Sequence, residues 1–442
     1  MHVHGTLIHA PARGDLEILE RALVTVGVDG NIAAVEAAPD RGRLAALRVD
    51  ATLVELAAGQ YLLPGLIDLH VHAPQWPQLG KALHLPLNEW LRRCTFPLEA
   101  KYADLDFART SYASLVDGLL ANGTTTATYF GTVHLEATKV LARIAADKGQ
   151  RAYVGKVAMD NADECPDYYR DRSARSGLDE TRAFIEYVNA LGNELVRPVV
   201  TPRFIPSCTD EMLSGLGKIA AEYGCHVQTH CSESDWEHRY VLDRHGMKDT
   251  QSLDRFGLLT DQTILAHAIL IDDEDMAMIG SRQSGIAHCP LSNLYLSHAV
   301  FPARKALDRG LKVGLGTDIA GGASPSILQN CQVAVTASRA LEDGVDPTQS
   351  SDRRGTAGAR IDFREAFWMA TAGGAEALGL AAGRFEAGCS FDAIVLDTTV
   401  ADSNLAIWPG MDTAEDVLQK AIYNAGPRNI SKVWVQGREV RG

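Results

Sequence analysis

The middle of the sequence alternates short apolar runs with amphipathic stretches, and this alternation restricts the fold more than any other feature. Between about residue 64 and residue 380, runs such as TTTATYFG, CHVQTHCSE and LKVGLGTD are separated by helical segments such as HLEATKVLARIAADKG and TDEMLSGLGKIAAEYG. Repeats of strand, helix and strand predict a parallel sheet. Because seven or eight such units occur, we expect a (β/α)8 barrel with its chemistry at the carboxyl ends of the strands.

The two ends of the chain have a different pattern, in which apolar and polar residues alternate between Gly and Asp turns. TLIHA and ALVTVGVDG lie near the start, and GRFEAGCSFDAIVLD and ISKVWVQGREV lie near the end. Neither end alone contains enough strands for a stable sheet. We therefore expect an α/β protein in which residues 1–63 and 381–442 form one small β-sandwich domain, and residues 64–380 form the barrel.

Composition excludes several classes of protein. The 442 residues carry a net charge of −14, which disfavours binding to a phosphate backbone, so no nucleic-acid partner is expected. No apolar run reaches the length of a membrane span, and the first residues lack the pattern of a secretory leader. The eight cysteines contain no CxxC pair, which argues against a disulfide framework and a thiolate zinc site. These features favour the cytoplasm, with no membrane association.

Two HxH pairs occur, and their surroundings differ. His70 and His72 follow the apolar run LPGLIDL, and alternation along a strand places both side chains on one face. That arrangement suits two ligands of one metal ion, although two hydrogen-bonded core histidines are the alternative. His2 and His4 lie at the chain start, where we expect a frayed terminus without a functional role.

Other strand-like runs also end in residues that can bind a metal or activate water. His230 follows CHVQT and precedes Glu233 by three residues, His267 follows TILA, and Asp318 follows LKVGLGT. His267 could instead be a core histidine, and Asp318 could be a helix cap. Taken with the HxH pair at residues 70 and 72, however, imidazole and carboxylate ligands without thiolate suit one catalytic Zn²⁺ or Fe²⁺ with an open position for water.

The motifs around these residues resemble the guanine deaminase family of the amidohydrolase superfamily along nearly the whole chain. The resemblance rests on PGLIDLHVHAPQ, LPLNEWLRRCTFPLEA, VTPRFIPSC, THCSES, IAHCPLSNLYLS and GLGTDIAGG. TPRF and TDIAGG are the most specific of these segments. Another class of zinc deaminases carries HxE with PCxxC. No PCxxC occurs in this sequence, so that class is rejected.

The resemblance assigns roles to individual residues. It implies that one divalent metal is bound by His70, His72, His230 and Asp318, that Glu233, His267 and Asp318 act on water and substrate, and that Gln75, Arg203 and Phe204 also contact the purine. Each of the last three has an ordinary alternative: a solvated loop residue, a surface ion pair and a core aromatic. The sequence departs from animal members of the family around THCSESDWEH and TDIAGGASPS. These changes retain the expected metal ligands, but they leave the preference among related substrates open.

The function that the resemblance implies is hydrolysis of guanine to xanthine and ammonia, a step of purine catabolism, by a cytoplasmic homodimer with one Zn²⁺ per chain. Asp318 would accept a proton from the attacking water, Glu233 would protonate the ring, and His267 would stabilise the new oxygen. The nearest alternative substrate is a related heterocycle such as a pterin or 8-oxoguanine. An inactive scaffold that binds partners is the alternative from another class, and loss of a ligand would be its signature. All the expected positions are filled.

Overall fold

The computed structural model describes residues 1–50, 52–297 and 299–442. Within these ranges, the early strands are β1 (His2–His9), β2 (Glu17–Val26), β3 (Ile32–Glu36), β4 (Leu53–Glu55) and β5 (Gln60–Pro64). The middle strands are β6 (Leu66–His72), β7 (Thr124–Phe130), β8 (Arg151–Gly155), β9 (Val157–Ala158), β10 (Val196–Pro202), β11 (His226–Cys231), β12 (Thr263–His267), β13 (Gly285–His288) and β14 (Lys312–Leu315). The late strands are β15 (Ala393–Asp397), β16 (Ile430–Val435) and β17 (Arg438–Arg441).

The helices fill most of the intervals between the middle strands. They are α1 (Arg41–Val49), α2 (Leu87–Trp90), α3 (Phe96–Glu99), α4 (Leu105–Ala121), α5 (Leu135–Lys148), α6 (Ala174–Ala190), α7 (Asp210–Tyr223), α8 (Asp235–His245), α9 (Asp249–Arg255), α10 (Asp273–Arg282), α11 (Pro290–Ser292), α12 (Ala303–Asp308), α13 (Ile327–Asp343), α14 (Phe363–Ala370), α15 (Ala372–Ala377) and α16 (Ala414–Asn424). Helix α7 begins at the cap Thr209, whose side chain accepts from Met212 N, and ends at Gly224 in a left-handed conformation. Both ends agree with the sequence pattern.

The middle strands form a parallel barrel, as predicted. The sheet runs from β6 through β7, β8, β10, β11, β12 and β13 to β14, and β9 continues beside β10 after a one-residue break. Hydrogen bonds just past the end of β14 close the barrel, because Asp318 N donates to His70 O over 2.8 Å and His72 N donates to Ile319 O over 2.9 Å. Closure therefore brings the loop after the last strand directly against the first strand.

Strands from both ends of the chain form the second sheet, which confirms that the two ends join in one β structure separate from the barrel sheet. The order is β17-β16-β15-β5-β1-β2-β3, with β4 also paired to β1, so all eight strands join in one mixed sheet. Strand β5 links the two ends, because it pairs in parallel with β1 and antiparallel with β15. The exact division at residues 63/64 and 380/381 stays a prediction.

A buried ion pair joins the sheet of the chain ends to the barrel. Arg151, the first residue of β8, donates from Nε to Asp392 Oδ2 over 3.1 Å and from Nη2 to Asp392 Oδ1 over 3.2 Å. Because Arg151 lies at the amino end of its strand, this pair is at the opposite end of the barrel from the carboxyl strand ends.

One sequence expectation about the amino terminus is wrong. His2 and His4 do not fray, because both belong to β1 and pair with Thr25 and Leu23 of β2. The His2 ring also lies 3.1 Å from Thr25 Oγ1. In the described residues, no helix has the length and apolar character needed to cross a membrane.

Candidate active site

The predicted metal ligands meet at the carboxyl end of the barrel. His70 and His72 are among the last residues of β6, His230 is near the end of β11, and Asp318 lies three residues beyond β14. The strands run in parallel, so residues that are distant in sequence reach the same rim. We call these four residues the metal side of the pocket.

The side chains of the metal side lie close enough to share one ion. His72 Nε2 and His230 Nε2 are 2.9 Å apart, and Asp318 Oδ1 lies 3.2 Å from His70 Nε2 and 3.7 Å from His72 Nε2. The rings of His70 and His72, on one face of β6, have centroids 4.9 Å apart. Two groups that overlap in their members, His70 with His72 and Asp318, and His70 with His230 and His267, each have ligand atoms within 4.8 Å of one another.

The chemistry of these side chains fits a divalent metal ion. Burial lowers the pKa of His70, His72 and His230 well below the ordinary value, which favours the neutral imidazole that binds metals. The Nε2 atoms of His70 and His267 are buried and have no hydrogen-bond partner among the described residues. Buried polar atoms are normally paired, so these two nitrogens fit a site that binds a metal ion.

The second nitrogen of two rings is held by the protein. His230 Nδ1 hydrogen-bonds to the carbonyl oxygen of Arg203, and His267 Nδ1 lies 2.9 Å from Asn293 Oδ1. Both partners are acceptors, so each Nδ1 carries the proton and each Nε2 presents its lone pair to the site. Asn293 therefore orients His267. The sequence analysis quoted its motif but did not single out this residue.

Two carboxyl groups lie beside His267. Glu233 Oε1 is 3.8 Å from His267 Nε2, and Asp318 Oδ2 is 4.0 Å from the same atom. Burial, with a smaller effect of the Asp318 charge, raises the pKa of Glu233 to about 8, and burial also raises the pKa of Asp318. A carboxyl group with a pKa near neutrality can both donate and accept a proton at physiological pH.

The backbone around these groups is conformationally unusual. Ser232, His267 and Asp318 have φ angles of 49°, 68° and 49°, in the left-handed region that residues with side chains rarely occupy. Such conformations concentrate at functional sites, where the surrounding structure holds them. In the loop after β14, a Cβ on Gly322 would lie 1.9 Å from Thr317 O, so this close turn requires glycine.

Arg203 and Gln75 face the metal side across the pocket, and Glu99 holds both of them. Arg203 Nη1 donates to Glu99 Oε2 over 2.7 Å, and Arg203 Nη2 donates to Glu99 Oε1 over 3.2 Å. Gln75 Nε2 donates to Glu99 Oε1 over 2.8 Å, while Gln75 Oε1 accepts from Ala320 N over 3.1 Å. We call Gln75, Glu99 and Arg203 the recognition side. The alternatives of a surface ion pair and a solvated loop are excluded, because Arg203 and Gln75 are only 2% and 1% exposed.

A pocket separates the two sides. It is lined by His72, Gln75, Leu87, Trp90, Leu91, Arg203, Phe204, His230, Glu233, Leu296 and Asp318. Of the predicted residues, only His70 and His267 are absent from this lining, and both are buried at its base beside the other histidines. Phe204 supplies an apolar wall and also packs against Trp236, with ring centroids 5.9 Å apart.

Some pocket residues were not found from the sequence. Leu87, Trp90 and Leu91 belong to the loop region after β6, and Glu99 is the last residue of α3. Their segment, LPLNEWLRRCTFPLEA, was recognised only as part of the family resemblance. The amphipathic pattern of such a segment is compatible with ordinary surface packing, so no local signal identifies which residues turn into the pocket.

Comparison with known proteins agrees with this arrangement. Residues 61–440 match the model of the amidohydrolase family. A probable guanine deaminase of Schizosaccharomyces pombe is 40% identical over 99% of this chain and 83% of its own length, and the guanine deaminase of Homo sapiens is 36% identical over 99% and 95%. The crystal structure of guanine deaminase from C. acetobutylicum, with guanine bound in its active site, has a TM-score of 0.88 and 32% identity, covering 99% of both chains. The chain therefore belongs to the amidohydrolase family.

Proposed function

We propose that this protein is a guanine deaminase, which adds water to carbon 2 of guanine and releases ammonia and xanthine. The observation that carries the proposal is the pocket, which has a cluster of metal ligands on one side and the paired Arg203 and Gln75 on the other. The full-length similarity to proteins named guanine deaminase supports the choice of substrate.

We further propose one Zn²⁺ per chain, bound by His70, His72, His230 and Asp318, with Fe²⁺ as the alternative. Three imidazoles and one carboxylate without thiolate suit either ion. When bound, such an ion lowers the pKa of a coordinated water from about 15.7 to about 7 and so supplies a nucleophile at neutral pH. Among the described residues, no cluster of cysteines offers an alternative metal site, because the cysteines are dispersed and form no disulfide.

The side chains around the metal side would move the protons. Asp318 accepts a proton from the attacking water, and Glu233, whose pKa is raised to about 8, donates one to ring nitrogen 3 so that carbon 2 becomes electrophilic. Glu233, ionised by that transfer, then takes the hydroxyl proton on carbon 2 and helps to protonate the departing amine as the bond between carbon 2 and nitrogen breaks, and the proton held by Asp318 restores Glu233. His267, whose Nε2 presents a lone pair, stabilises the new oxygen on carbon 2 by accepting a hydrogen bond from its hydroxyl hydrogen, in the orientation that the hydrogen bond to Asn293 imposes.

Recognition of the purine is assigned to the opposite side. Arg203 is a planar donor and suits the carbonyl and nitrogen acceptors of the purine edge. Gln75 has one amide hydrogen and one oxygen lone pair left after its bonds to Glu99 and Ala320. Phe204 lines the same pocket as an apolar wall for the ring.

An ammonia-release assay over guanine, adenine, a pterin and 8-oxoguanine tests the proposal. We expect the highest kcat/KM for guanine and very little turnover of adenine. Faster turnover of the pterin or 8-oxoguanine would support the proposed deamination mechanism but would show that guanine is not the preferred substrate. No ammonia from any of them, with metal bound, would refute the enzyme assignment.

The family resemblance supports a proposal about the assembly and the cellular location. We propose a homodimer in the cytoplasm. Light scattering of the purified protein at several concentrations tests the oligomeric state, and a monomer throughout the range would contradict it.

A further inference from the structure

We propose that Glu99 is a positioning residue that fixes Arg203 and Gln75 and thereby sets the preference for a purine that carries a carbonyl at position 6. The inference rests on the proposed function, since it concerns how the same pocket chooses its substrate. Glu99 hydrogen-bonds to both side chains and is not among the residues that line the pocket.

The hydrogen bonds of Glu99 fix the polarity of both partners. Its side chain is fully buried, Oε2 accepts from Arg203 Nη1, and Oε1 accepts from both Arg203 Nη2 and Gln75 Nε2. An ionised carboxylate has no hydrogen to donate. Gln75 must therefore turn its amino end, and never its oxygen, towards Glu99.

The other end of the Gln75 amide is fixed by the loop after β14. Gln75 Oε1 accepts from Ala320 N over 3.1 Å, two residues beyond Asp318. With both ends held, the amide cannot exchange its donor and acceptor by rotation. The hydrogen and the lone pair that remain for a ligand thus have fixed positions relative to the metal side.

Arg203 is restrained on its edge and on its face. Glu99 takes one hydrogen from each terminal nitrogen, and the guanidinium carbon lies 5.2 Å from the centre of the Phe96 ring. Phe96 and Glu99 are the first and last residues of the same short helix, α3. The five hydrogens of a guanidinium lie in one plane, so fixing that plane directs the three that remain.

A structural ion pair without a role in selectivity is the competing explanation. A buried pair of this kind adds little net stability over apolar residues of similar volume, because both charges lose their hydration. A role in fixing the orientation of Arg203 and Gln75 predicts a change in substrate preference, whereas a purely structural role predicts only a change in stability. The two explanations are therefore separable by experiment.

Glu99→Gln is the first test, because it keeps the size of the side chain and replaces an acceptor with a mixed donor and acceptor. The substrates are guanine and 2,6-diaminopurine, which keeps the 2-amino leaving group but has an amino group in place of the carbonyl. We expect kcat/KM for guanine to fall by about 10 to 100-fold, the range for groups that orient functional residues, mainly through KM. The ratio of guanine to 2,6-diaminopurine should narrow by about tenfold, and binding of xanthine measured by calorimetry should weaken in parallel with the guanine KM.

Asp392→Asn provides the matched control. Asp392 forms the other buried two-bond pair with an arginine described above, with Arg151, at the far end of the barrel. Asp392→Asn should lower the melting temperature about as much as Glu99→Gln does, and it should leave the ratio of guanine to 2,6-diaminopurine activity unchanged. Metal content is measured for both variants, so that a loss of metal is not mistaken for a loss of recognition.

A second comparison covers the case in which Glu99→Gln leaves an unpaired charge and unfolds the protein. Arg203→Leu is compared with the double variant that also carries Glu99→Gln, where neither charge remains. If Glu99 acts mainly through Arg203, Arg203→Leu should itself narrow the substrate ratio, and adding Glu99→Gln should change that ratio much less than Arg203→Leu does. A further change as large as that caused by Arg203→Leu, or a folded Glu99→Gln with an unchanged ratio, would overturn the inference. A wild-type enzyme that is inactive on guanine would instead refute the proposed function on which it rests.

Discussion

The metal side and the recognition side face each other in one pocket but are held in place by different means. His70, His72 and His230 are on barrel strands, where backbone pairing sets the direction of each side chain. On the recognition side, Arg203 lies just beyond β10 and Glu99 ends a four-residue helix, so side-chain hydrogen bonds set the geometry. We therefore expect substitutions on the metal side to abolish catalysis, and substitutions on the recognition side to change which substrate is preferred.

The largest effect is expected from removing a metal ligand. His70→Ala or Asp318→Ala should lose metal and lower turnover by more than about 10⁴, because the activated water is lost and, with Asp318, its proton acceptor as well. Elemental analysis should find about one divalent metal in the active wild type and much less in each variant. Unchanged metal content in both variants, or a requirement for two metals, would contradict the assignment.

Glu233→Gln should separate proton transfer from metal binding. The amide cannot donate and recover the proton, so turnover should fall by about 10² to 10⁴, the usual range for a positioned acid-base group. Metal content should remain that of the wild type, because Glu233 is not one of the proposed ligands. Turnover close to that of the wild type in a fully metal-loaded variant would assign the proton transfer to another residue.

Arg203→Ala should affect recognition while leaving the metal side loaded. In the wild type, 2,6-diaminopurine, which keeps the amino group at carbon 2, would place its 6-amino donor against the Arg203 guanidinium, and an unmatched buried polar group can discriminate by up to about 10⁴. The variant should lose guanine activity and narrow the gap between guanine and substrates without the carbonyl. It should also melt at a lower temperature, since Glu99 loses its buried partner. Comparable kcat/KM for 2,6-diaminopurine and guanine in the wild type would contradict the recognition model.

The smallest effect is expected in the pH dependence of stability. Burial raises the pKa of Glu233 from 4.5 to about 8, so below pH 4.5 the folded and unfolded states are both protonated. As the pH rises towards 8, the unfolded state ionises while the folded state retains its proton, and the free energy of unfolding decreases.

Glu233→Gln has no such titration and isolates this contribution. With both proteins free of metal, the variant and the wild type should have similar free energies of unfolding at about pH 5. At pH 8 the variant should be more stable, by on the order of 1 to 3 kcal/mol. Denaturant unfolding at both values measures the difference. A constant difference across this range would show that burial does not raise the pKa of Glu233.

The metal side could be predicted because its signal is local. Each proposed ligand comes at or just after an apolar run, and parallel strands bring their carboxyl ends together whichever helices connect them. The strands carrying His70 and His230 are close to the predicted runs. The error about His2 and His4 has the opposite origin, because a terminus is ordered only if a partner strand exists, and here β2 supplies it.

The recognition side could be predicted only in part. Arg203 and Gln75 were identified through the family resemblance, but nothing near Glu99 in the sequence indicates that it binds them. Arg203 is 104 residues away from Glu99, and Gln75 is 24 residues away. Asn293, which orients His267 from 26 residues away, was missed for the same reason.

By itself, the sequence determined the alternation of strands and helices, the joining of the two chain ends in one sheet, and the set of polar residues at the strand ends. These features follow from hydrophobic periodicity and turn residues, which act over a few neighbouring positions. Only the tertiary structure decided which loop side chains meet across the pocket, and which end of the Gln75 amide faces Glu99. Those contacts join distant segments, and their geometry depends on the closure of the barrel, where Asp318 N donates to His70 O.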